Sequence, residues 1–277
     1  MRVFEDINDA WVYYVRQLMI KGKDVGNTVE LTNVSFTLSN IKNNILTIRE
    51  DFSLHYYLGE MIWYGAGSND TNFISNYGSI WKKLSDDGET NNSAYGHIVK
   101  EKHGYNQLDL AYEILKEDPH SRRAVININV PDGKALETKD EQCTIALQFY
   151  IRNNLLHATG IMRSNDIWTG TPYDIFYFTS LQQMLARRLG VATGDYTHFT
   201  TSLHAYHRNI DNLTDSVINY EDAYKYNVKI DGVKLLEEAS DLYFNIENAQ
   251  KKNKYTPKQV KEYTISLCAN AGIFEYL

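Results

Sequence analysis

Only two cysteines, Cys143 and Cys268, occur among 277 residues. That excludes a disulfide framework and points to a reducing, cytoplasmic setting. No apolar run reaches the roughly 18 residues that a membrane span needs. The opening MRVFEDINDAW carries acids where an export signal has a basic and then an apolar stretch, so export is not expected. A basic surplus is also missing: 28 Lys and Arg stand against 35 Asp and Glu, for a net charge of −7. A nucleic acid polymer is therefore not an expected partner. A small anion is still compatible, because a local arginine cluster can override the global charge. No GxxxxGKS loop, no GxGxxG after a strand, no CxxC and no HExxH is present. The 8 histidines are scattered, and no metal is expected.

What is there is an ordinary globular composition, 43% hydrophobic and 23% charged. The 21 tyrosines read as packing and surface composition. Helical spacing of Ile7, Ala10, Trp11, Tyr14, Val15 and Leu18 behind Asp6 predicts a helix over 7–20, ended by Gly22. Residues 28–38 and 43–50 read as strands. Residues 54–67 read as an apolar helix carrying one carboxylate, Glu60. That residue is either partly exposed at the helix edge or buried with a partner. Residues 68–104 read as a long irregular segment, either functional or mobile. A helix over 105–117 leads through Asp118-Pro119 to Ser121-Arg122-Arg123 and a strand over 124–130. Further helices are expected over 173–189 and 233–250 and after the Thr256-Pro257 cap. A turn and strand over 194–207 puts Ser202, His204 and Tyr206 on one face. No repeat, linker or composition break appears. The reading is one domain, 1–277, with 215–277 as a helical C-terminal extension.

The stretch Cys143 to Asp174 holds two alternating strands about an Asn153-Asn154 turn, asparagine tolerating the positive φ of such turns. Thr144, Ala146 and Gln148 are expected on one strand face, with Ile145, Leu147 and Phe149 on the other. The second strand would carry Arg163 and Ser164 back toward Cys143. A thiol, a guanidinium and a hydroxyl together suit an anionic substrate and a nucleophile. The alternative for Cys143 is a small buried hydrophobe; as a nucleophile it needs a nearby cation or base. Arg122 and Arg123 are either solvated or a phosphate clamp.

Several motifs occur here in order: GEMIW (59–63), IWKKL (80–84), SAYG (93–96), DPHSRR (118–123), QCTIALQFY (142–150), RSNDIWTGTPYD (163–174), GDYTHF (194–199) and LHAYHRN (203–209). Together they resemble the thymidylate synthase family over roughly residues 54 to 210. The resemblance implies an α+β fold, a large mixed sheet flanked by helices, and a sheet-to-sheet homodimer. It implies Cys143 as the nucleophile adding to pyrimidine C6. Arg163 and Ser164 would bind the phosphate, and Arg122 and Arg123 would reach the phosphate of the neighbouring subunit. Glu60 would order water and relay protons, and Tyr95 would lie near removal of the C5 proton. Asp166 and Trp81 would serve the folate side, and Gln148 lies on the nucleophile's strand. His204 and Tyr206 would bond the sugar hydroxyl. The phosphate arginine of the family's N-terminal loop has no match; Lys21 or Lys23 could substitute. The co-substrate implied is 5,10-methylenetetrahydrofolate, and the partner a nucleoside monophosphate.

Departures from the synthase pattern carry the specificity. Gln142-Cys143-Thr144 replaces Pro-Cys-His, and TGTPYD ends in Asp174 where a synthase has Asn. A carboxyl can accept from the cytosine amino group and, when protonated, donate to N3. These departures are shared with bacteriophage deoxycytidylate hydroxymethylases and cytidylate hydroxymethylases of antibiotic pathways. The expected activity is therefore C5 hydroxymethylation of dCMP or CMP, in a bacterial cytoplasm or, if phage-encoded, that of the host. Two alternatives stand beside it: synthase-type methylation of dUMP, and a non-catalytic nucleotide-binding homologue.

Overall fold

The structure is a computed structural model describing residues 1–42, 44–49, 51–130, 133, 136–218 and 228–276. Its chain contacts divide into two compact units. The first comprises Met1–Phe52, Ala111–Ile126 and Cys143–Val228; the second comprises Ser53–Leu110, Asn127–Gln142 and Lys229–Leu277.

The first unit is built on a mixed eight-stranded sheet. Its strands are β1 (Arg2–Phe4), β2 (Lys23–Val25), β3 (Thr28–Leu38), β4 (Val125–Asn127), β5 (Thr144–Arg152), β6 (Leu155–Met162), β7 (Asn165–Asp166) and β8 (Ala192–Tyr206). The order is β1-β3-β8-β6-β5-β4, with β2 added on β3 and β7 on β8. Antiparallel β5 and β6 turn through Asn153 and Asn154, at φ 51° and 60°, as the local chemistry requires. Parallel β6 and β8 are joined through the helix Thr171–Leu189, which starts with Pro172 and stops at left-handed Gly190. The helix packs on β6 and β8, and Phe176, Phe178, Leu181, Leu185, Leu156, Ala158, Met162 and Tyr196 are buried. Asp6 caps the helix Ile7–Lys21, accepting from the amides of Asn8 and Asp9.

Three expectations are corrected in this unit. Residues 44–49 form no strand (43 and 50 lie outside the described residues). Their apolar residues are buried in an irregular segment tied by side chains: Asn44 Nδ2 donates to Thr179 Oγ1 at 2.6 Å, and the Thr47 amide to Asn8 Oδ1 at 3.0 Å. The strand expected over 124–130 is limited to Val125–Asn127. A β-bulge at Ile145 breaks the alternation of β5: Thr144 pairs with Met162 but Ala146 with Ile161. Thr144 therefore shares the helix-facing side with Leu147 and Phe149, and Gln148 falls on the other.

The second unit is helical. The helix Leu54–Gly65 is buried almost all round, against Gly232–Asn253, Pro257–Asn270 and Tyr95–Lys100. Residues 68–104, expected to be irregular, instead hold the short helices Thr71–Ile74, Ile80–Leu84 and Tyr95–Lys100. Phe73, Ile74, Tyr77, Trp81, Ile98 and Val99 bury their apolar sides, and this explains the order without long periodic runs. A glycine is needed at position 96, because a Cβ there would overlap the Tyr64 backbone. The final helix begins with a Thr256–Gln259 capping box. The remaining strands, β9 (Val228–Ile230) and β10 (Phe274–Tyr276), pair with each other. Among the described residues no helix is long and apolar enough to cross a membrane.

Candidate active site

The β5–β6 hairpin sets the first contact. Beyond the paired strands, the Arg163 amide donates to the Cys143 carbonyl at 2.9 Å. The side chains follow, with Arg163 Nη2 at 3.8 Å from Cys143 Sγ. Cys143 is half-buried and Arg163 exposed. A cation beside a reachable sulfur is the setting in which thiolate nucleophiles occur. The buried Cys268 is pushed up to about 12 by loss of hydration, with the Glu238 charge adding to it, and is the inert thiol. Ser164 is half-buried. Thr144 Oγ1 is buried and makes no hydrogen bond among the described residues.

Other expected residues of this unit fall into smaller groups. Gln148 Nε2 donates to the Arg122 carbonyl at 3.0 Å, so its amide fixes the backbone of the arginine pair. Arg122 and Arg123 are both exposed, as are Lys21 and Lys23. β7 and β8 set Asp166 opposite His204. Asp166 accepts from the Trp168 amide at 2.9 Å and from the Thr169 hydroxyl, a turn that leaves the carboxylate half-exposed with acceptor capacity to spare. His204 and Tyr206 meet edge to face at 5.5 Å, and Arg208 lies over the Tyr206 ring at 4.0 Å.

Asp174 stands in the first turn of the helix Thr171–Leu189. Part of its surface is accessible, yet its carboxyl lies in dense surroundings. Loss of hydration pushes its pKa up to about 7, against a lowering bond from Asn165 Nδ2 at 2.9 Å; the Asp166 charge raises it further. At neutral pH it can both donate and accept.

In the second unit Glu60 is 7% exposed, which overturns the reading of a carboxylate at the helix edge. Its partner is Tyr56, whose hydroxyl donates to Oε1 at 2.9 Å and accepts from Trp81 Nε1 at 3.0 Å. Tyr95 is buried and stacks on Tyr64 at 5.6 Å. Sequence reasoning passed over Tyr56, and in the first unit Arg49, Asn165, Tyr196 and His198. Buried Arg49 donates to the Trp168 carbonyl and to Tyr173 Oη, and pairs with Asp51. For Tyr56 and Arg49 the available signal was a polar side chain within a largely apolar stretch; Asn165, Tyr196 and His198 carried none.

A cysteine and an arginine thus meet at one end of a mixed sheet packed by a crossover helix, in an α+β protein. The family profile described as thymidylate synthase matches residues 20–260, wider than the 54–210 stretch that carries the motifs. The chain belongs to the thymidylate synthase family. It is 31% identical over 201 residues to the deoxyuridylate hydroxymethyltransferase of Bacillus phage SP01, covering 68% of this chain and 52% of that protein. The chain thus matches about half the length of that relative. It is 30% identical over 196 residues to a thymidylate synthase of Bacillus subtilis subsp. natto, covering 64% and 70% respectively. Among solved structures, the thermostable thymidylate synthase A from Bacillus subtilis superposes with a TM-score of 0.64 at 25% identity, over 76% of this chain and 84% of that one.

Proposed function

We propose that the protein hydroxymethylates C5 of a cytosine nucleotide, dCMP or CMP. The reaction is nucleotide, 5,10-methylenetetrahydrofolate and water to 5-hydroxymethyl nucleotide and tetrahydrofolate. The observation that supports cytosine is the Asp174 carboxyl, held by Asn165 at 2.9 Å in surroundings whose loss of hydration raises its pKa and favours the neutral form. Its protonated form can donate to cytosine N3 while an oxygen accepts from the 4-amino group. An ionised carboxylate suits uracil's N3–H but offers nothing to O4.

Cys143 thiolate adds to C6, and C5 becomes the carbon nucleophile. The co-substrate supplies a one-carbon unit at the formaldehyde level. C5 bonds to that carbon, the carbon's bond to the folate nitrogen breaks so that tetrahydrofolate leaves, and C5 loses its proton to give an exocyclic methylene, with Tyr95 assigned to that proton removal. Water then adds to the exocyclic carbon, positioned by Glu60, and Cys143 leaves C6. Arg163, Ser164 and the partner subunit's copies of the Arg122–Arg123 pair take the phosphate. His204 and Tyr206 take the sugar. Asp166 and Trp81 serve the folate: the half-exposed Asp166 carboxylate has acceptor capacity for a pterin N–H. The roles of Glu60, Tyr95 and Trp81 rest on the family pattern. A homodimer is supported by the sheet face opposite the helix, where Tyr150, Ile161 and Phe199 are half-exposed and Ile161 lies directly opposite Phe199.

A second reading, a deoxyuridylate enzyme, is favoured by the likeness to the deoxyuridylate hydroxymethyltransferase of the phage, with the Bacillus thymidylate synthases beside it. Turnover of dCMP, CMP and dUMP with methylenetetrahydrofolate separates the two. The first gives a hydroxymethylated cytosine nucleotide and tetrahydrofolate. Product from dUMP alone would refute the cytosine reading, and dihydrofolate formation would mark methylation.

A further inference from the structure

Behind Asp174 runs a chain of buried polar groups. Asn165 Nδ2 donates to Asp174 Oδ2 at 2.9 Å. Asn165 Oδ1 faces the Thr171 hydroxyl at 2.6 Å and His198 Nε2 at 3.1 Å. His198 Nδ1 faces the Tyr196 hydroxyl at 3.0 Å. Asn165 is 1% exposed, and His198 and Tyr196 are fully buried. The chain sets its own polarity. An amide oxygen only accepts, so His198 carries its hydrogen on Nε2 and its Nδ1 accepts from Tyr196. Burial drives the His198 pKa down to about 3, keeping the ring neutral while Asp174 titrates. Burial, and then the Asp174 charge, keep Tyr196 protonated as a donor.

Two glycines make room for this arrangement. A Cβ at Gly160 would overlap the Tyr196 hydroxyl, and β6 sets Gly160 opposite His198. At Gly170 a Cβ would crowd Asn165 Nδ2 at 3.1 Å and Asp174 Oδ2 at 3.2 Å. Space is left at both ends of the chain.

We propose that Tyr196, His198 and Asn165 are positioning residues, a one-way hydrogen-bond relay that commits Asp174 Oδ2 as an acceptor. The proton of the neutral carboxyl then resides on Oδ1, placed to donate to N3, while Oδ2 has a second lone pair for the 4-amino group. This rests on the reading of Asp174 as the base-recognising group. Without the donor at His198, Asn165 Oδ1 keeps the Thr171 hydroxyl, which can accept as well as donate, so the amide can turn its oxygen toward Asp174 and its nitrogen toward Thr171. An amide oxygen there favours the neutral carboxyl, so the Asp174 midpoint rises. The charged group that also faces Asp174 is Asp166, whose effect does not pass through the relay.

The test follows the Asp174 carboxyl by carbon NMR in the nucleotide-free full chain, for wild type, His198→Phe, His198→Gln and Tyr196→Phe. Folding is checked by circular dichroism. His198→Phe is expected to raise the midpoint by about one pH unit, a tenfold change in the protonation equilibrium. Tyr196→Phe, which removes only a hydroxyl, raises it by less. His198→Gln keeps an N–H donor and restores the wild-type midpoint. An unchanged midpoint in folded His198→Phe and Tyr196→Phe overturns the relay, and so does an equal shift in His198→Gln. Should His198→Phe not fold, Tyr196→Phe against wild type decides alone. Calorimetric binding of dCMP and dUMP to wild type tests the underlying reading separately. Midpoints that move as expected without a dCMP preference uphold the relay and reject cytosine recognition. A dCMP preference with fixed midpoints does the reverse.

Discussion

The two units hold their candidate side chains by different physics. In the sheet unit, strand register does the placing: one hairpin sets Arg163 beside Cys143, and β7 on β8 sets Asp166 opposite His204. In the helical unit, close packing does it. Glu60 and Trp81 meet through Tyr56, and Tyr95 lies on Tyr64 where Gly96 lets two backbones approach. Register is written locally, in alternation and turn residues. Close packing is written in pairs of residues far apart in the chain.

The largest effect that probes this difference is chemical. Cys143→Ala is expected to abolish tritium release from C5-labelled nucleotide with the fold intact, because the strand register does not depend on the thiol. Release at the wild-type rate would remove Cys143 from the reaction.

In the helical unit the matching break is steric. Gly96→Ala drives a Cβ into the Tyr64 backbone, which has no rotamer to yield. A loss of about 3 kcal/mol or more is expected in denaturant unfolding, at the upper end for overpacked sites. A loss under about 1 kcal/mol would mean that the approach is not close.

Asp174 gives a smaller, pH-dependent effect. Its folded pKa of about 7 lies above the ordinary carboxyl value of 3.8. Stability from the neutral carboxyl is complete below the unfolded value and is lost as pH rises through the folded one. Relative to Asp174→Asn, wild type should lose on the order of 2–4 kcal/mol between acid and mildly alkaline pH. Parallel pH curves for the two proteins would contradict the raised pKa.

The smallest expected effect lies at the turn. Asn154→Val forces a β-branched residue to a φ of 60°, costing about 1–2 kcal/mol, while Asn154→Gly should be near neutral. Thermal unfolding of both variants checks that the register is encoded at the turn.

The same contrast explains what the sequence disclosed. The strand 28–38, the Asn153-Asn154 hairpin, the cap Asp6 and the Thr256-Pro257 helix start were legible because each is a local signal. The apolar residues at 45, 46 and 48 mimicked a strand, yet they are buried in a segment held by Asn8 and Thr179. The short helices between 68 and 104 lacked periodic length, so their burial was invisible. Cys143, Arg163 and Asp174 stood out by motif. Asn165, Tyr196 and His198 did not, because their partnership exists only once β7 and β8 are side by side with the helix of Asp174.

The central claim is that the carboxyl at position 174 reads cytosine, and equilibrium binding measures it most directly. Calorimetry of dCMP and dUMP on wild type and Asp174→Asn, near neutral pH, should show a crossover. Wild type prefers dCMP, and Asp174→Asn moves the preference to dUMP by at least about tenfold, the scale of one well-made hydrogen bond to a buried group. The same preference in both proteins would contradict the account.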